Sequence, residues 1–243
     1  MDIKNSIAYT VLVIANVLGG ASLVLFGLFL FGVSFTRVDL WHGEAGILAW
    51  DSLLCLLFFA QHSGMVRKAF RHRLAAWVPE HYHGALYTIA SAAVLFVLVL
   101  YWQNSATTLI SVQGVARWLM QGAFFASLPG MVWGLLALRG FDVFGNQAIL
   151  AQISGSPAAS TPFAVRGPYQ WVRHPLYFFT LVMIWSSADM TLDRLLFNVL
   201  FTVWIVVGTR LEERDLVAEF GEDYSAYQRH VPMLIPYKLI NRN

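Results

Sequence analysis

Apolar residues run in long, nearly unbroken stretches separated by short polar segments, and the lengths of those stretches set the architecture. A helix needs ~20 mostly apolar residues to cross ~30 Å of hydrocarbon. Residues 7–33, 45–61, 85–102 and 115–138 each meet that requirement. The stretch 176–208 is apolar except for Ser186-Ser187-Ala188-Asp189-Met190-Thr191-Leu192-Asp193-Arg194. That polar interruption predicts two shorter helices joined by a tight turn. The pattern therefore predicts an all-α integral membrane protein with about six transmembrane helices, the last two a helical hairpin. Residues 211–230 (LEERDLVAEFGEDYSAYQRH) are the most charged stretch of the chain. They continue the last span and predict a cytosolic C-terminal helix.

The chain divides near residue 140. Residues 1–140 carry the first four spans and an interfacial segment, 62–84, which mixes basic residues with Met65, Phe70, Leu74 and Trp77, as an amphipathic surface helix does. Residues 141–243 carry the hairpin, the charged helix and a turn-prone Ser/Pro/Ala-rich loop at 154–162. The first apolar run is too long for the core of a cleaved signal and lacks a small-residue cleavage pattern, so it reads as a span.

Composition agrees and narrows the classes. Of 243 residues, 58% are hydrophobic and only 12% charged, about half the share expected of a soluble domain. Mean hydropathy is +0.59, and nine Trp residues suit a chain with rings at membrane–water boundaries. The basic residues lie between spans instead of forming one stripe, which argues against nucleic acid as a partner. With the N-terminus inside, thirteen of the sixteen Lys and Arg fall on the cytosolic side, leaving Arg37, Arg117 and Arg194 opposite. This is a strong positive-inside asymmetry, predicting cytosolic N- and C-termini in a bacterial inner membrane. The single cysteine, Cys55, excludes an internal disulfide and a thiol-based structural metal site; no metal is expected.

Four features carry candidate chemistry. In Arg173-His174-Pro175-Leu176-Tyr177, Pro175 opens a helix whose unpaired amides attract a polar or anionic group; headgroup anchoring explains Arg173 and His174 equally well. Glu212-Glu213 closes the paired span and runs against the positive-inside tendency. A cationic ligand rewards two such acids near aromatic faces, although a solvated helix end is the usual reason for them. Asp51, an acid inside the second span, is a site candidate by default, but helix packing through a Ser or Trp is the favoured reading; Gln61-His62-Ser63 closes that span. Asp142, in Gly140-Phe141-Asp142-Val143-Phe144-Gly145, either reaches a ligand or caps a helix C-terminus.

Gly167-Pro168-Tyr169, Arg173-His174-Pro175-Leu176-Tyr177, Glu212-Glu213 and Phe220-Gly221 with Tyr224, Tyr227 and Val231-Pro232 together resemble the membrane methyltransferases. That superfamily includes isoprenylcysteine carboxyl methyltransferase and phospholipid methyltransferases. A narrower resemblance, to the methanethiol S-methyltransferase (NnrU-like) branch, rests on Gln61-His62-Ser63-Gly64-Met65-Val66-Arg67, the Phe141–Gly145 loop, Glu213-Arg214-Asp215-Leu216-Val217 and Val231-Pro232-Met233-Leu234-Ile235-Pro236. Asn146-Gln147 departs from the pattern expected after that loop. The resemblance implies S-adenosylmethionine as cofactor, held within 141–243 by Gly167, Tyr169, His174, Pro175, Leu176, Tyr177, Glu212 and Glu213. It implies a small thiol as acceptor, with Gln61, Asp142 and Phe144 as candidate binding residues; because such a thiol ionises above neutral pH, the chemistry makes His62 the candidate to take its proton and Arg173 the candidate to favour the thiolate. A prenylcysteine or lipid acceptor, and an NADPH-dependent membrane reductase of similar fold, are the alternatives. Oligomeric state is not legible.

Overall fold

The computed structural model describes residues 3–41, 43–139, 142–155 and 163–237. In chain order its elements are α1 (Ile3–Phe31), α2 (Glu44–Val66), α3 (Lys68–Leu74), α4 (His83–Tyr101), β1 (Thr108–Ser111), α5 (Gly114–Ala137), α6 (Gln147–Ser154), α7 (Pro175–Trp185), β2 (Asp189–Thr191), α8 (Leu192–Phe220) and α9 (Glu222–His230). The protein is an all-helical membrane protein, with one small antiparallel ribbon, β1 with β2, among the described residues. Five helices, α1, α2, α4, α5 and α8, are long and apolar enough to cross a membrane. Their outward faces are apolar: Val199, Val203 and Val207 recur every four residues on α8 and are exposed, a stripe suited to lipid and unsuited to water.

The hairpin has the expected turn but unequal arms. Eleven residues give α7 a length of ~16 Å, while the twenty-nine of α8 reach ~44 Å. Thus α7 falls short of a full span, and α8 continues unbroken into the charged segment. Lys238 and Arg242, counted in the orientation, lie outside the described residues, as do Gly140, Phe141 and residues 156–162 of the Ser/Pro/Ala-rich loop.

The chain forms two compact units. The first comprises Met1–Ala106 and Asp142–Ser160, in which α1 and α2 each pack on α4. Its core includes Ala8, Leu12, Ala15, Ala85 and Ile149; the alanines let the helix backbones approach closely. Gly145 sits at φ +73°, and a Cβ there would lie 2.1–2.2 Å from the Gly84 carbonyl carbon and the Ala85 nitrogen. Only glycine combines that left-handed backbone with that approach. At the opposite end of α2, Asp51 is fully buried and accepts a 3.0 Å hydrogen bond from the Gln103 amide. Glu44 accepts from Ser105 Oγ at 2.7 Å. The packing role favoured for Asp51 is therefore fulfilled through backbone, fastening the segment after α4.

The second unit comprises Thr107–Phe141 and Thr161–Asn243. Here α5 packs on α7 through two glycines: a Cβ on Gly130 would meet Phe179 Cε1 at 2.3 Å, and one on Gly134 would meet Leu176 Cδ2 at 2.7 Å. Where α7 gives way to α8, Asp189 accepts from Arg117 Nη2 at 2.6 and 2.7 Å and from Ser111 Oγ at 2.7 Å.

Candidate functional site

The chemistry-bearing residues of the second unit converge where α7 begins. Pro175 occupies the first helical position after His174, where its fixed φ aids nucleation and its missing N–H leaves no broken bond. The segment following α9 pins this entry: Arg173 N donates to Pro232 O at 2.9 Å and His174 N to Met233 O at 3.2 Å.

Arg173 and Glu213 form the buried centre. Nε and Nη2 of Arg173 donate to the two carboxylate oxygens of Glu213 at 2.6 and 3.0 Å, the bidentate geometry that suits guanidinium best. Nη1 donates to the carbonyls of Gln228, at 3.0 Å, and Val231. Gln228 Nε2 donates to Glu213 Oε2 at 3.0 Å, and His174 Nε2 lies 3.2 Å from Oε1. Both charged side chains are only 10% exposed. This network ties α7, α8 and α9 together around two mutually neutralising charges.

Glu212 is in a different situation. Its side chain is 46% exposed and accepts from Tyr177 Oη at 3.0 Å. His174 Nδ1 lies 3.8 Å away, and the His174 and Tyr177 rings stack at 5.7 Å with 19° between their planes. An exposed carboxylate backed by two rings is a donor set for an organic cation. The nearby phenol of Tyr169 is pushed above the usual range by its burial and then by the Glu212 carboxylate, so it stays a hydroxyl at neutral pH. Behind it, Tyr227 Oη donates to the Tyr169 carbonyl at 2.5 Å, and Phe163 touches Phe220, Tyr224 and Tyr227 with centroids 5.4–5.8 Å apart. Gly167, at φ +54°, lets the chain pass Trp133, whose Nε1 would stand 3.0 Å from a Cβ. Leu176 is committed to packing at Gly134.

The remaining expected residues belong to the first unit. The His62 ring lies against the Tyr87 hydroxyl, 2.7 Å from Nε2 and 3.0 Å from Nδ1, and Ser91 Oγ is 3.4 Å from Nδ1. Gln61 Nε2 donates to Ser91 Oγ at 3.2 Å. Phe144 lies against Gly19, where an added Cβ would stand 2.7 Å from its ring. Asp142 does cap a helix, but by its N-terminus: Oδ2 accepts from Gln147 N at 2.6 Å, at the first residue of α6.

The NnrU protein family model matches residues 52–235, across both units. The chain belongs to the NnrU family. It is 36% identical over 191 residues to the methanethiol S-methyltransferase of Pseudomonas sp. strain GM41, covering 76% of this chain and 72% of the relative. It is 34% identical over 194 residues to methanethiol S-methyltransferase 2 of Bradyrhizobium diazoefficiens (80% and 74% covered), and 35% over 191 residues to that of Pseudomonas deceptionensis (76% and 71%). No solved structure matches.

The family match covers the candidate residues from Gln61 to Glu213 and begins one position after Asp51. Within this NnrU chain, the residues that sequence reasoning missed are Tyr87, Ser91 and Gln228. Tyr87 and Ser91 are four apart in an apolar span, hence on one helix face, and that spacing was a readable signal. Gln228 carried none, because only the fold brings α9 to Glu213.

Proposed function

We propose that this protein is an S-adenosylmethionine-dependent methyltransferase whose acceptor is a small thiol, with methanethiol converted to dimethyl sulfide. The observation that carries the reading is the inequality of the two acids. Glu213 is neutralised by Arg173, while Glu212 stands at the water boundary with Tyr177 and His174 behind it. That leaves one half-exposed carboxylate, with the Tyr177 hydroxyl on it, for a cationic ligand, a set that fits the cofactor. The name of the relatives, methanethiol S-methyltransferase, supplies the acceptor.

Bound there, S-adenosylmethionine supplies an electrophilic methyl group on a sulfonium. Glu212 holds its amino or ribose groups; Tyr177 keeps Glu212 in place, and His174 with Tyr169 closes the polar edge. Arg173, with its N–H groups engaged, acts by holding Glu213 and the end of α9 in position rather than by stabilising the thiolate. His62 takes the thiol proton. Free thiols ionise well above neutral pH (~8.5 for Cys), so a base is needed. Joining thiolate to sulfonium cancels opposite charges, and a water-poor site favours that step. The same Glu212 carboxylate would repel the 2′-phosphate of NADPH. The protein lies in a bacterial inner membrane with both termini cytosolic, a placement that the asymmetry of its loop charges supports.

Calorimetry on detergent-solubilised protein tests the cofactor, with S-adenosylhomocysteine expected to bind and NADPH not. Headspace gas chromatography of expressing cells fed methanethiol tests the acceptor. Cofactor binding without dimethyl sulfide above the vector control would eliminate the thiol.

A further inference from the structure

Residues 67–79 join α2 to α4 at one membrane face. The twenty-three residues of α2 reach ~34 Å, enough to use up the ~30 Å of hydrocarbon, so the chain leaves α2 at the level of the lipid headgroups. There it forms α3, a helix of seven residues of which none is buried. Isolated helices shorter than ~12–15 residues are marginal in water, and this one recovers little from packing within its unit. Its residues are nevertheless two-sided. Phe70 and Leu74, four apart, share one side, and Trp77 stays close to them because its amide donates to the Leu74 carbonyl at 2.9 Å. Trp77 is 88% exposed, more than any other large hydrophobic residue among those described. At ~100° per residue, Lys68 and His72 fall on the other side of the helix.

Charge identifies what covers this face. Arg67, Lys68, Arg71 and Arg73 are all exposed, and no acidic residue occurs between Asp51 and Glu80. Four cations beside Phe70, Leu74 and Trp77 match a surface that is negative above and hydrocarbon below. We propose that residues 67–77 are a binding surface for anionic phospholipid. Phosphate oxygens of the headgroups accept hydrogen bonds from Lys68, Arg71 and Arg73, while Phe70, Leu74 and Trp77 enter the acyl boundary. The lipid thereby supplies the packing that α3 does not find within the chain. The positive-inside bias alone requires less: it orients a loop through its charge, but it calls for neither a helix nor an exposed indole. The inference stands apart from the methyl-transfer reading and draws on the first unit alone.

The test uses the full chain reconstituted in bilayers of phosphatidylglycerol and phosphatidylcholine, with one lipid and then the other brominated. Bromine quenches an indole that it touches, and the difference between wild type and Trp77→Phe isolates Trp77 from the remaining Trp residues. Each basic residue near an anionic surface is worth roughly a fivefold gain in binding. Phosphatidylglycerol should therefore outcompete phosphatidylcholine at Trp77 by about 5- to 100-fold. Combining Lys68→Gln, Arg71→Gln and Arg73→Gln should cut that preference at least about fivefold. Salt at about 0.5 M should do the same to the unaltered chain by screening, which keeps the test independent of how the triple variant folds. Equal quenching by the two brominated lipids would overturn the proposal, as would a preference that neither substitution nor salt reduces. No quenching of Trp77 by either lipid would overturn it too, and would assign the face to a protein partner or a second copy of the chain.

Discussion

Replacing each member of the Glu212-Glu213 pair by Gln separates fold from binding. Glu213 is only 10% exposed and shares two hydrogen bonds with Arg173. Glu213→Gln leaves that guanidinium without a counter-charge, and unmatching a buried pair costs about 3–5 kcal/mol. For a chain of this length ~1 kcal/mol corresponds to about 2–4 °C, so the midpoint should fall by about 6–20 °C. Glu212 is 46% exposed and accepts a hydrogen bond from Tyr177 Oη. An amide oxygen can still accept that half-exposed bond, so Glu212→Gln should melt within ~2 °C of wild type. What it loses is charge toward the ligand: a hydrogen bond to a charged group is worth about 1.5–3 kcal/mol, or about 10- to 150-fold in Kd. The assays are Trp-fluorescence melting in detergent and calorimetry with S-adenosylhomocysteine. A Glu213→Gln protein as stable as wild type, or a Glu212→Gln protein with wild-type affinity, would refute the division of roles.

Gly145→Ala should destabilise the first unit by about 2–5 kcal/mol, because it combines an unfavourable φ of +73° with backbone contacts near 2.1 Å; melting in detergent and membrane yield report it. Gly130→Ala drives a methyl group into the Phe179 ring and should cost about 1–3 kcal/mol. Phe179→Leu in the same chain should restore part of that, a coupling that a double-mutant cycle measures. The Asp189 carboxyl is held below the usual range by the Ser111 hydroxyl and then by Arg117. Its stabilising effect is therefore present above the ordinary carboxylate pKa of ~3.9 and is lost as pH falls below that value. Since the pair is partly exposed, Asp189→Asn should cost no more than ~1 kcal/mol at neutral pH, less in high salt, and nothing in strong acid.

The spans were legible because lipid imposes a length requirement that a run of apolar residues satisfies visibly. The break at 186–194 was equally plain, since Ser and Asp cannot be left in hydrocarbon without partners. The unequal arms were not: an apolar run does not reveal that α7 ends at Trp185 while α8 passes through the charged segment as one helix. The sequence also suggested Glu212-Glu213 as one acidic unit. Neighbouring helical residues point ~100° apart, so one acid faces α9 and the other faces water. The engagement of Arg173 is not legible in the sequence, because its partners lie 40 to 58 positions away and arrive only through the fold. Asp142 was recognisable as a capping residue, though the capped helix is the one that follows it.

The central claim is methyl transfer from S-adenosylmethionine to a small thiol, and isotope transfer tests it most directly. Purified protein in detergent is incubated with S-adenosylmethionine carrying a trideuterated methyl group and with methanethiol, and the headspace is read by mass spectrometry. The account predicts dimethyl sulfide three mass units heavy, formed only with both substrates and reduced in Glu212→Gln. Wild-type protein that binds S-adenosylhomocysteine yet releases no heavy dimethyl sulfide would contradict it.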